Sequence, residues 1–122
     1  MRLPSSLHLK QAKDFAALRA QGRSHAGRYC VLSVLAVPQL SEFRFGLITS
    51  RKVGGAVVRN RLRRQLREVI RSFRGEILPG HHFVTIVRWS APGRSLEELR
   101  KDWRHCASKL GLLAKPNKAL PS

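Results

Sequence analysis

The chain has 122 residues, with 24 lysines and arginines against seven aspartates and glutamates, a formal net charge of +17. Its length allows one domain with one modest core, and a 43% share of hydrophobic residues excludes a disordered polycation. A folded core under that much positive charge, with a sequence pI near 11.8, calls for a polyanionic partner. The longest strongly apolar run, residues 31–37, is too short to cross a bilayer, and MRLPSSLHLK lacks the apolar stretch of a secretory signal. No membrane association and a cytoplasmic location are therefore expected. Cys30 and Cys106 stand far apart, with no CxxC or Cys/His zinc spacing, so two buried thiols are expected and no metal site. The neighbours in His81-His82 and in His105-Cys106 cannot face one another on a strand or helix, and both pairs read as structural.

In chain order, residues 1–8 read as a loose arm. A short helix is expected from His8 or Leu9 to Ala20, with Ala12, Phe15, Ala16 and Leu18 on a partial apolar side and Gly22 ending it. Residues 28–37, RYCVLSVLAV, are β-formers and nearly all apolar, which predicts a central strand covered on both faces. Pro38 stops it, and residues 43–50 form a second strand; the short loop between them predicts antiparallel pairing. After the basic segment described next, residues 75–80 return the chain, and 82–89, HFVTIVRW, form a third strand. Ser95 and Glu98 have the spacing of a capping box. The helix they open is expected to bury Leu96, Leu99, Trp103, Cys106 and Leu110, with Gly111 closing it before a polar tail. Two amphipathic helices on a small apolar sheet predict a two-layer α+β sandwich. The chain reads as a single domain over 1–122, its core about 7–112, with 1–7 and 113–122 as flexible ends.

The segment 51–74, RKVGGAVVRNRLRRQLREVIRSFR, organises the rest. Val58, Leu62, Leu66, Val69, Ile70 and Phe73 recur at helical spacing and share one side. Arg63, Arg64, Arg67, Arg71 and Arg74 fall on the other, with Asn60 and Arg61 beside them. Charge runs on amphipathic helices are commonly no more than solvated faces. Here the sign is uniform, Glu68 is the only acid in the segment, and every basic position of the helix is arginine. Guanidinium forks suit bidentate contact with phosphate, and their mutual repulsion is relieved by an anion, so the face is read as nucleic-acid binding.

Catalytic groups are harder to find. The acids Asp14, Glu42, Glu68, Glu76, Glu97, Glu98 and Asp102 are scattered, and the consecutive pair Glu97-Glu98 diverges on its helix. Hydrolysis of a phosphodiester by protein groups needs clustered carboxylates for metal ions or a positioned histidine. No catalytic residue is assigned.

The string FGLITSRKVGGAVVRNRLRRQLRE resembles the signature of the bacterial ribonuclease P protein subunit. In that family a strand ends in Ser-(Arg/Lys)-Lys, a glycine-containing loop follows, and the helix carries Arg-Asn-Arg; the likeness runs from about residue 7 to 112. It implies the element order αβββαβα, with a short extra strand near 23–28 or 51–53, and a left-handed crossover carrying the arginine helix. It also implies an accessory role in an endoribonuclease. The RNA would hold Mg²⁺ and the catalytic site, and the protein alone would bind no cofactor. Its partners would be the catalytic RNA and precursor tRNA, whose 5′ leader is removed, with no obligate protein partner evident. By this resemblance Arg59, Asn60, Arg61, Arg63, Arg64, Arg67 and Arg71 contact RNA, with Arg51 and Lys52 as loop cations ahead of the helix. A cleft between the first helix and the sheet would hold the single-stranded leader, with Phe15 stacking on a base or, alternatively, serving the core. Arg19 stands where a second aromatic is common and Ser33 where a strand tyrosine sometimes is, with Arg28 and Tyr29 nearby. The alternative function is a general RNA-binding or ribosomal protein without a role in tRNA processing.

Overall fold

The computed structural model describes residues 3–114; residues 1–2 and 115–122, which include the start of the expected arm and most of the expected tail, lie outside the described residues. The elements are α1 (Ala12–Gln21), β1 (Arg23–Ala26), β2 (Cys30–Ala36), β3 (Phe43–Ile48), α2 (Ala56–Ser72), β4 (His81–Val87) and α3 (Leu96–Lys109). This is the order αβββαβα. The short extra strand is β1, whereas Arg51–Val53 forms a single 3₁₀ turn.

The sheet runs β1-β2-β4-β3, with β1 and β2 antiparallel, β2 and β4 antiparallel, and β4 and β3 parallel. The expected antiparallel pairing of β2 with β3 is therefore wrong, because β4 lies between them. Its sequence HHFVTIV is buried on both faces for most of its length, and such a strand belongs inside a sheet. The loop after β2 steps across the end of β4: Val37 N donates to Gly80 O at 2.7 Å and Gly80 N to Glu42 O at 3.0 Å. Six residues easily span the roughly 10 Å of two strand spacings. The connection β3–α2–β4 is accordingly a crossover between parallel neighbours, and it carries the arginine helix.

Strand alternation sorts the side chains into two faces. Leu32 and Val34 of β2, Phe43 and Phe45 of β3, and Phe83 and Val87 of β4 join Leu62, Leu66, Ile70 and Trp103 of α2 and α3 in the main core. There Trp103 stacks on Phe73 with centroids 5.4 Å apart, and its Nε1 donates to buried Thr85 Oγ1 at 3.0 Å. The opposite face carries a small cluster of Leu9, Leu18 and Val84 under α1. The two larger helices thus form one layer and the sheet the second, with only α1 on the far side.

Three local expectations need correction. Helix α1 begins at Ala12, because Leu7 and Leu9 are both buried and residues 8–9 run extended, Leu9 N bonding Phe45 O at 2.8 Å. Val58 is 37% exposed and Leu96 41% exposed, rather than core. Both lie in the first turn of their helices; at that end of α2 the core is filled instead by Val53 of the preceding turn. The capping box at Ser95 is present in both directions, with Glu98 N donating to Ser95 Oγ and Ser95 N to Glu98 Oε1.

The two cysteines are free and buried, and the fold makes them neighbours. Asp102 of α3, itself buried, sits with them, the three donor atoms within 4.8 Å of one another. Its carboxylate accepts from the amides of Arg28 and Tyr29 at 2.8 Å and of Cys30 at 3.2 Å, closing the β1–β2 turn onto α3. Gly27 is required there, since a methyl group on it would come within 2.7 Å of both Asp102 and Cys106 Sγ.

Candidate nucleic-acid interface

The register that buries Leu62, Leu66, Val69 and Ile70 of α2 turns its arginines outward. Asn60, Arg63, Arg64, Arg67 and Arg71 come together along an open groove of about 830 Å³, whose other wall is Leu3, Ser5 and His8. Arg63 Nη1 donates to Asn60 Oδ1 at 3.1 Å, which braces both side chains. Arg71 Nε donates to Glu68 Oε1 at 3.0 Å; this bond holds the Glu68 carboxyl below its usual range and the guanidinium above its own. Glu68 therefore neutralises Arg71 alone. Among the described residues the other ion pair is Arg94–Glu98 at 3.5 Å, far along the chain. Arg63, Arg64 and Arg67 face the groove with no carboxylate partner among the described residues.

The remaining expected contacts lie near the start of α2 but do not line the groove. Arg51 and Lys52 lie on the 3₁₀ turn, Arg61 is exposed, and Arg59 is half-buried with its Nε unpartnered. Gly54 joins that turn to the helix at φ 153°, where a Cβ would press within 2.9 Å of Val58.

On the other face of the sheet, Phe15 is half-buried among Leu35, Ile48, Val84 and Ile86. Its ring fits over Gly46, where a methyl group would lie 2.7 Å from Cε1. One side of the ring is therefore seated and part of it stays open. Arg19 is exposed on the same helix, and Ser33 lies on that side of β2, hydrogen-bonded to Ser24 at 2.6 Å. Arg28 and Tyr29 are not brought to Phe15. They sit at the turn held by Asp102, with Tyr29 packed against the main core and Arg94 5.9 Å above its ring.

Among the described residues, the one converging group of three His, Cys, Asp or Glu side chains is Cys30–Asp102–Cys106. It does not suit Mg²⁺, which takes oxygen ligands: two donors are thiols and the carboxylate already accepts three amides. The Cys30 thiol is held protonated, far above its usual range, by its hydrogen bond to Cys106 and by burial. No helix of the described residues is long and apolar enough to cross a membrane.

An αβββαβα chain whose groove holds four arginines against one glutamate is a basic α+β protein. The profile of the family described as Ribonuclease P matches residues 3–111. The ribonuclease P protein component of Synechocystis sp. is 37% identical over 114 residues, 93% of this chain and 92% of that one. Among solved structures, a Staphylococcus aureus RNase P protein mutant with defective mRNA degradation activity superimposes with TM-score 0.82 at 25% identity, covering 88% of this chain and 90% of that one. The RNase P protein of Thermotoga maritima gives 0.73 at 26% identity, covering 80% and 92%. The chain belongs to the ribonuclease P protein family. It is thus a protein component of an endoribonuclease holoenzyme that also contains RNA.

Proposed function

We propose that this chain binds the catalytic RNA of ribonuclease P through the arginine face of α2 and guides the single-stranded 5′ leader of precursor tRNA across the α1 face. In this reading it assists endonucleolytic removal of the leader while the RNA holds Mg²⁺ and carries the chemistry. The observation that supports it best is the convergence of Arg63, Arg64 and Arg67 on one groove, unpaired with any acid among the described residues. Backbone phosphates dominate RNA affinity, and such a row of guanidiniums releases the most counterions when it meets them. Asn60 adds an amide able to read a base edge. The half-open ring of Phe15, beside exposed Arg19, offers a stacking platform on the second surface.

The two surfaces are separable. In the assembled complex, Phe15→Ala should weaken precursor tRNA binding by about five- to hundredfold, the worth of one base–aromatic stack. Mature tRNA, which has no leader, should bind as before, and the melting temperature should fall only modestly because the ring is half-buried. Affinities for both tRNAs, measured with assembly saturated, decide it. Equal losses for the two would reject the leader surface.

A further inference from the structure

One wall of the arginine groove is not basic. The turn Ser5–Leu7 and the extended residues after it place His8 opposite Arg63, Arg64 and Arg67. The imidazole rests edge-on against Phe45, with centroids 4.8 Å apart and planes at 86°. Its backbone bridges to Phe45 of β3, and the next amide bonds the Phe45 carbonyl, so the segment that carries the ring is fixed in place. Nε2 is removed from solvent and has no hydrogen-bond partner. A buried polar atom left unpaired is costly and calls for an explanation.

We propose that His8 completes a phosphate subsite with Arg63, Arg64 and Arg67, and that an RNA phosphodiester entering it is bound together with a proton on the ring. The inference rests on the RNA-binding reading above and goes beyond it, because the arginines alone would bind phosphate without exchanging protons. The charged groups facing His8 are Arg63, Arg64, Arg67 and Arg71 from α2, with Glu68 engaged by Arg71, and Lys10 from its own segment; β3 presents the Phe45 ring. Burial, then Arg67, then Lys10 hold the imidazole below its ordinary range, so in the free protein it is neutral at pH 7. A phosphate cancels the two cations and, once the ring turns its shielded Nε2 toward the groove, accepts from Nε2–H; both effects favour imidazolium. The proton comes from the buffer, and no bond to phosphorus forms or breaks.

The sign follows from linkage. The bound state holds more protons than the free state between the two pKa values, so affinity falls as pH rises through that window. A separation of one unit gives about a tenfold loss. Calorimetric titration in buffers of different ionisation enthalpy measures the uptake directly. One arm titrates the protein with transcribed ribonuclease P RNA, and a second titrates the assembled complex with precursor tRNA. Uptake in the first arm assigns the phosphate to the catalytic RNA, and uptake in the second to the substrate. His8→Gln should abolish it in either case and flatten the pH profile. His8→Arg should bind at pH 8 about as tightly as the natural chain does at pH 6. RNA binding with uptake absent, or undiminished in His8→Gln of normal melting temperature, overturns the subsite and leaves the RNA-binding reading standing. Failure to bind either RNA at any pH overturns both.

Discussion

Replacing Arg63, Arg64 and Arg67 together by alanine should lower affinity for ribonuclease P RNA on the order of a hundred- to a thousandfold near physiological salt. Among the described residues none of these three guanidiniums has a carboxylate partner, so each is free to displace counterions from a phosphate. The loss should be steepest at low salt. The slope of log affinity against log salt should flatten by about two to three, the share of three phosphate contacts. Stability should hold or rise, since like charges are removed from one helix face and alanine is the better helix former. Arg71 is left in place because its pair with Glu68 mixes a local role with any RNA contact. A variant that melts far lower while binding RNA unchanged would show that this face serves the fold.

The second large effect concerns stability and leaves the RNA surface alone. Asp102→Ala should cost about 3–6 kcal/mol, because the amides of Arg28, Tyr29 and Cys30 would lose their acceptor together in a poorly hydrated site. For a chain of this size that is a drop in melting temperature of about 10–25 °C. Asp102→Asn keeps one carbonyl oxygen and should fall between the two. Scanning calorimetry of the three proteins checks the order, and an alanine variant melting within a few degrees of the natural chain would remove Asp102 as the anchor of the β1–β2 turn.

These two residues sets differ in how visible they are from sequence. The arginine face is local: its period of 3.6, the run without glycine or proline, and the single acid Glu68 all lie within one helix. The capping box at Ser95 and Glu98 is local too, and both were legible. Asp102 gives no such signal, since its partners are 72 to 74 residues away and nothing near it in the chain distinguishes it from Glu97 or Glu98. Strand pairing failed for the same reason. The short link from β2 to β3 suggests a hairpin, but the burial of β4 on both faces, a property of the whole sheet, places that strand between them.

The candidate site was legible in the same uneven way. Asn60, Arg63, Arg64, Arg67 and Arg71 fall into one groove because helical geometry dictates it. Phe15 and Ser33 share a face of the sheet, while Arg28 and Tyr29, assigned beside them, lie at the Asp102 turn, a separation set by the bend before β2. In the sequence His8 reads only as a possible start of α1. Alternating buried Leu7 and Leu9 hint at an extended segment there, yet only the fold shows that it flanks the arginines.

Under the proposed function this chain supports cleavage through RNA contacts while the RNA carries the chemistry. The most direct test is cleavage of precursor tRNA by transcribed ribonuclease P RNA at limiting Mg²⁺, with and without the protein, beside a reaction containing rigorously RNA-free protein alone. The account predicts that the protein accelerates release of the intact 5′ leader by the RNA, and that the protein alone releases none. No acceleration at any protein concentration, or sustained cleavage by the RNA-free chain that a Glu68 or Glu76 substitution abolishes, would contradict it.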